Sequence, residues 1–164
     1  MVVVASYRPA EGADAESISD LVQAALLPHT LPGWTADAVA HLYSENSPQA
    51  LRERFTEAAF TRVCVNERVI VGFIHCKRSR LLGLLAVHPS LQRSGIGSQL
   101  LQCMLVHVAD AAPDISVVEV NATEYSLPFY RRRGFYPLSE FIEHEGCRFV
   151  RLGYWRKNPL LGAA

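Results

Sequence analysis

The run Leu81-Leu82-Gly83-Leu84-Leu85-Ala86-Val87-His88-Pro89-Ser90-Leu91-Gln92-Arg93-Ser94-Gly95-Ile96-Gly97-Ser98-Gln99-Leu100 decides the fold. Its opening stretch, Leu81 to Val87, is apolar throughout, as a buried strand would be, and Pro89 stops it. A short polar loop follows. Gly95 and Gly97 then open a helix whose apolar positions Ile96, Leu100, Leu101, Met104, Leu105 and Val108 recur at helical spacing. A strand that feeds a glycine turn into a helix leaves several backbone N–H groups unpaired and aimed the same way. Such a cup attracts an anion, phosphate above all.

The spacing narrows the ligand. A Walker-type loop needs Lys-Ser/Thr after its last glycine, and Gly97 is followed by Ser98-Gln99. A dinucleotide fingerprint needs a third glycine where Leu100 stands. A second stretch lies downstream, Val117-Val118-Glu119-Val120-Asn121-Ala122-Thr123-Glu124-Tyr125-Ser126-Leu127-Pro128-Phe129-Tyr130-Arg131-Arg132-Arg133-Gly134-Phe135. It reads as a buried strand, a short helix ended by Gly134 at the C′ position, and another strand from Phe135. The pattern Gln92-x-x-Gly95-x-Gly97 after Val87-x-Pro89 resembles the pyrophosphate loop of the GNAT-type N-acetyltransferases. The run Asn121-Ala122…Phe129-Tyr130-x-x-x-Gly134-Phe135 resembles the second hallmark of the same superfamily.

That resemblance implies an α/β fold with a mixed, mostly antiparallel central sheet of about six to seven strands, flanked by helices and splayed between the fourth and fifth strands. It implies acetyl-CoA as co-substrate. Main-chain groups of Leu85, Ala86 and Val87 would pair with the coenzyme arm. The loop amides of Gln92, Arg93, Ser94, Gly95, Ile96, Gly97 and Ser98 would hold the pyrophosphate, with Arg93 adding charge. Asn121 and Ser126 match positions that touch the arm, although capping and turn hydrogen bonds account for them equally well. Tyr130 matches the position of the general acid that protonates the departing thiolate; a tyrosine packing its helix on the sheet is the plainer reading. The three arginines after it would lower its pKa if they lie close.

A general base is harder to find. Many relatives carry a glutamate in the strand before the phosphate loop, and here that strand has no carboxylate. His75, His88, Glu119 and Glu124 are the candidates, and a lone histidine on an apolar face is more often core than catalyst. Trp34, His41, Tyr43 and Trp155 are candidates for an acceptor pocket, with core or dimer contacts explaining them equally. Cys103 and His107 stand at i, i+4 without a second pair, so no metal site is expected.

The chain has 164 residues, enough for one domain over 1–164 with a core that needs no disulfide or metal. Sixteen basic residues balance sixteen acidic ones, so no global field recruits nucleic acid or a membrane surface. Four cysteines without a CxxC suit reduced thiols in a cytoplasm. Met1–Ala5 is too short for a signal core and reads as the approach to a first strand near Tyr7. Asp14 is placed to cap a helix carrying Ile18, Leu21, Val22, Ala25 and Leu26, with Pro28 ending it. Leu31-Pro32-Gly33-Trp34 is a turn-rich loop, Thr35 caps a second helix, and Pro48 opens a third. Strands at Phe60–Val65 and Val69–Cys76 form a hairpin, and Cys147–Leu152 alternates as the last strand after a turn at Gly146.

The expected activity is direct acetyl transfer from acetyl-CoA to a primary amine on a small molecule or protein; dimers are common among relatives, and the resemblance leaves a homodimer open as a partner. The competing class is a non-catalytic acyl-CoA-binding regulatory module, which the missing strand carboxylate favours.

Overall fold

Two apolar sets of helical residues fold onto opposite faces of a single sheet. The computed structural model describes residues 5–30, 33–58, 60–78 and 80–156. Met1 to Val4, ahead of the expected first strand, and Leu31-Pro32 of the expected loop lie outside them. The elements in order are β1 (Ala5–Arg8), α1 (Ala15–Thr30), α2 (Ala36–Glu45), α3 (Pro48–Glu57), β2 (Phe60–Asn66), β3 (Val69–Arg78), β4 (Leu81–Val87), α4 (Ile96–Ala111), β5 (Val117–Ala122), α5 (Leu127–Arg131), β6 (Tyr136–His144) and β7 (Cys147–Trp155). The seven strands run β1-β2-β3-β4-β5-β7-β6, antiparallel everywhere except between β4 and β5. This is the mixed, splayed sheet the motifs imply. Among the described residues no helix is long and apolar enough to cross a membrane.

Ile18, Leu21, Val22 and Ala25 of α1 meet Leu51 of α3, Phe73 of β3 and Ala86 of β4 on one face. Ile96, Leu100, Leu101, Met104 and Val108 of α4 meet Ile74, Leu82, Val118 and Leu152 on the other. The α4 stripe is the one its spacing predicts. Thr35 and Ser47 cap α2 and α3, their hydroxyls accepting from Ala38 N and Ala50 N. Both hairpin turns, Glu67-Arg68 and Glu145-Gly146, hold two successive positive φ angles, the twist that matches antiparallel strands.

Strands β2, β3 and β7 run on to Asn66, Arg78 and Trp155, past their expected ends, and three further readings are corrected. Helix α1 runs through Pro28 to Thr30, because a proline removes only its own N–H from the ladder. Asp14 does not cap α1 forward. Its carboxylate reaches back to Glu11 N at 2.8 Å and takes two hydrogen bonds from Arg8, at 2.7 and 2.8 Å, fixing a 3-10 turn that leads into the helix. Strand β6 starts at Tyr136, since Phe135 is spent as a buried core residue.

Candidate active site

Strands β4 and β5 pair only at Leu81–Glu119 and Leu82–Val120. Beyond Leu82 the β5-facing edge of β4 has no strand against it among the described residues, while its other edge stays paired with β3 as far as Val87. A bulge marks the parting. His75 of β3 opposes Leu84, Cys76 opposes Leu82, and Gly83 is the extra residue between them. The bulge turns Leu84 and Ala86 to the α1 face, whereas Leu82 faces α4.

The open edge leads into the glycine loop. Arg93 and Gly95 have φ of 66° and 94°, which curls the chain into the first turn of α4. The first helical amide to find its acceptor is Gln99 N, bonded to Gly95 O at 3.0 Å. The N–H groups of Ile96, Gly97 and Ser98 come before it and have no acceptor among the described residues. They open onto a cleft of about 530 Å³ lined by Arg93, Gly95, Gly97 and Ser98 on one side and Arg132 and Arg133 on the other. Arg133 lies over the Phe129 ring at 3.7 Å and donates to Phe129 O at 2.9 Å and Ser98 Oγ at 3.0 Å. Burial, and then the neighbouring Arg132 charge, lowers the Arg133 pKa. Cations crowded this way, with no carboxylate lining the cleft among the described residues, make a site for an anion. Ser94 is exposed and donates its hydroxyl to Leu91 O at 2.6 Å, and the Ile96 side chain is core.

A second cavity of about 360 Å³ lies on the α1 face of the splay. Leu85, Val87, Gln92, Ser126 and Tyr130 line both spaces; Ala86 and Asn121 line this one alone. Tyr130 stands at the junction and is 5% exposed. Its main chain is clamped by a Schellman motif, with Phe135 N on Tyr130 O at 3.2 Å and Gly134 N on Arg131 O at 3.2 Å, around Gly134 at φ 85°. The arginines do not bring the phenol down. Burial raises its pKa well above the ordinary value and outweighs the opposing pull of Arg133, so it keeps its proton.

The cavity on the α1 face holds residues that the sequence did not single out. His29 stacks on Tyr125 with ring centroids 3.5 Å apart and planes 8° from parallel. The Tyr125 hydroxyl donates to Gln92 Oε1 at 2.9 Å, and Gln92 Nε2 donates to Val87 O at 3.2 Å. A chain of contacts thus ties α1, the β5–α5 loop and the phosphate loop together. Lys77, Cys147 and Phe149 also line this cavity, with Trp34 as the sequence suggested. Burial, with Glu145 adding to it, raises the Cys147 pKa and keeps it a thiol.

None of the four candidate bases reaches either space. His75 is 0% exposed in the core, with neither ring nitrogen hydrogen-bonded among the described residues. His88 is tied to Ser90 Oγ at 2.8 Å. Glu119 pairs with Arg151 at 3.0 Å and Glu124 with Arg148 at 3.1 Å. His41 lies exposed beside Glu45, and Trp155 lines a different cleft.

Comparison with known proteins agrees with this geometry. A family model described as acetyltransferase (GNAT) domain matches residues 30–154. A GCN5-related N-acetyltransferase structure from Rhodopseudomonas palustris superposes with a TM-score of 0.77 at 17% identity, covering 94% of this chain and 98% of that one. PaiA N-acetyltransferase from Thermoplasma acidophilum, solved with coenzyme A, gives 0.74 at 13% identity, over 92% and 98%. A GNAT family acetyltransferase from Brucella melitensis, solved with acetyl-CoA, gives 0.63 at 20% identity, over 96% and 93%. No curated protein sequence matches.

Proposed function

Because this chain belongs to the GNAT acetyltransferase family, we propose that it is an N-acetyltransferase moving the acetyl group of acetyl-CoA directly to a primary amine. One observation carries the reading: the unpaired edge of β4 runs without interruption into a cup of free amides ringed by arginines. The residues present fit the coenzyme. An extended edge suits the arm's amides, the first turn of α4 suits a pyrophosphate, and at Gly95 nothing stands within 4 Å of where a Cβ would be.

Bound acetyl-CoA supplies an electrophilic thioester carbonyl with a thiol leaving group. Leu85, Ala86 and Val87 offer main-chain partners along the arm. Arg93, Gly95, Gly97 and Ser98 face the phosphates, with Ile96 contributing its amide and Gln92 holding the loop to Val87. Ser94 keeps the loop's shape, and Asn121 and Ser126 border the arm's path. Tyr130, held neutral by burial, gives its proton to the leaving sulfur. His29, an imidazole in the acceptor-side cavity with no hydrogen-bond partner among the described residues, takes the proton from the amine. A transfer through Cys147 is disfavoured, because its thiol stays protonated.

The experiment is calorimetric titration of acetyl-CoA, followed by acceptor-dependent thiol release. Tyr130→Phe should retain coenzyme affinity and lose roughly 10²-fold in turnover, and His29→Gln should likewise spare coenzyme binding while cutting acceptor-dependent thiol release. A second reading, coenzyme binding without turnover, rests on the absence of a carboxylate from β4. It would prevail if acetyl-CoA binds and no amine releases thiol.

A further inference from the structure

The acceptor-side cavity has an unusual charge balance. Among the described residues lining it there is no aspartate or glutamate, and its one fixed charge is the ammonium of Lys77. Lys77 is exposed and enters none of the ion pairs found among the described residues. Its stem crosses the Gly83 bulge, with Cγ 2.8 Å from where a Cβ on Gly83 would stand. The stem thus starts beside the foot of the splay, and Lys77 lines the cavity there. The wall opposite is apolar, made by Trp34, Leu42 and Phe149.

We propose that the acceptor is a small primary amine that also carries a carboxylate and an apolar group, as an apolar amino acid does, with Lys77 binding the carboxylate. This rests on the acetyltransferase reading above. A diamine or polyamine would bring a second cation into a cavity that has no anion to meet it and a lysine to repel it. A carboxylate pairs with that lysine, and the apolar group takes the aromatic wall. The same positive charge favours the uncharged form of the amine, which is the form that attacks. In the transfer the amine nitrogen forms the new N–C bond while the C–S bond breaks. The sulfur leaves with its electron pair, one proton leaves the nitrogen, and one joins the sulfur.

The test compares matched acceptors by thiol release at saturating acetyl-CoA: phenylalanine against phenethylamine, leucine against isoamylamine, and putrescine as the cationic control. The carboxylate-bearing member of each pair should be preferred in kcat/KM by at least about tenfold, the yield of one charge-assisted contact. Lys77→Met should collapse that ratio toward one, and Lys77→Arg should keep it. Because Lys77 is exposed, both variants should fold, which their thermal midpoints would verify. A preference for putrescine or the decarboxylated amines, a ratio that survives Lys77→Met, or coenzyme binding with no turnover of any member would overturn the proposal. Failure of acetyl-CoA to bind at all would instead overturn the acetyltransferase reading, and the acceptor assignment with it.

Discussion

His75 makes the stability of this protein depend on pH in a window that can be calculated. The ring is 0% exposed on β3, lies against Phe73 at a centroid distance of 6.5 Å, and leaves both nitrogens without a hydrogen bond among the described residues. Burial, then Arg54 and Lys77, lowers its pKa from 6.5 to about 4. The folded state therefore keeps it neutral at a pH where the unfolded chain already binds a proton. Folding is unaffected by this group above pH 6.5, loses stability as the pH falls below that, and stops losing it near pH 4. The full shift corresponds to about 3 kcal/mol, of which about 2 kcal/mol is lost by about pH 5.

For a chain of this length that is a drop of roughly 4–8 °C in thermal midpoint between neutral pH and about pH 5. His75→Leu removes the proton site and fills the same apolar space, so its midpoint should change much less over this interval. At neutral pH it should be as stable as the parent or more so, since a buried polar ring without partners is replaced by a hydrocarbon. Calorimetric or circular-dichroism melts at a series of pH values measure both. Parallel pH curves for the two proteins would refute the reasoning, because they would mean that the ring already titrates normally in the folded state.

Two glycines separate binding from folding. At Gly97 a Cβ would meet Phe129 at 3.4 Å and Val87 at 3.5 Å, ordinary contacts. Gly97→Val should therefore fold and weaken acetyl-CoA binding by at least about tenfold by calorimetry, whereas Gly95→Val, at φ 94°, would also strain the backbone. At Gly146 a Cβ would stand 2.1 Å from Thr35 Oγ1, which caps α2, and φ is 77°. Gly146→Ala should cost about 2 kcal/mol in chemical denaturation, and should raise KM for the acceptor by loosening α2 from the β6–β7 turn.

The phosphate cup and the splay were legible because they are made of backbone. A glycine at a fixed offset, a helix stripe and an apolar strand are all sequence patterns, and Gly134 announced the motif that clamps Tyr130. What depends on long-range packing was not legible. Ending α1 at Pro28 removed His29 from the helix that carries it into the acceptor cavity. Arg93 and the arginine run were visible in the sequence, but that Arg93, Arg132 and Arg133 line one cleft depends on packing. The adjacency of three arginines suggested a lowered phenol pKa, but burial reverses that sign and only coordinates reveal the burial. His75 read as a candidate base because strand alternation places it correctly along β3. It cannot show that the ring faces the α1 core rather than the opening.

The lack of a carboxylate on β4 takes on a different meaning once Gly83 is considered. A side chain there would collide with His75 Nδ1 and Lys77 Cγ, each 2.8 Å from the Cβ position. The bulged glycine thus parts β4 from β5, lets the imidazole lie over the strand, and leads the lysine stem across to the cavity. An acidic residue on this face of β4 would stand beside Lys77 and neutralise it, leaving no cation for an incoming carboxylate. Under the proposed acceptor chemistry an all-apolar β4 is what keeps that charge available, and proton removal passes to the imidazole on α1. The feature that argued for a binding module without activity is then a consequence of which amine the site takes.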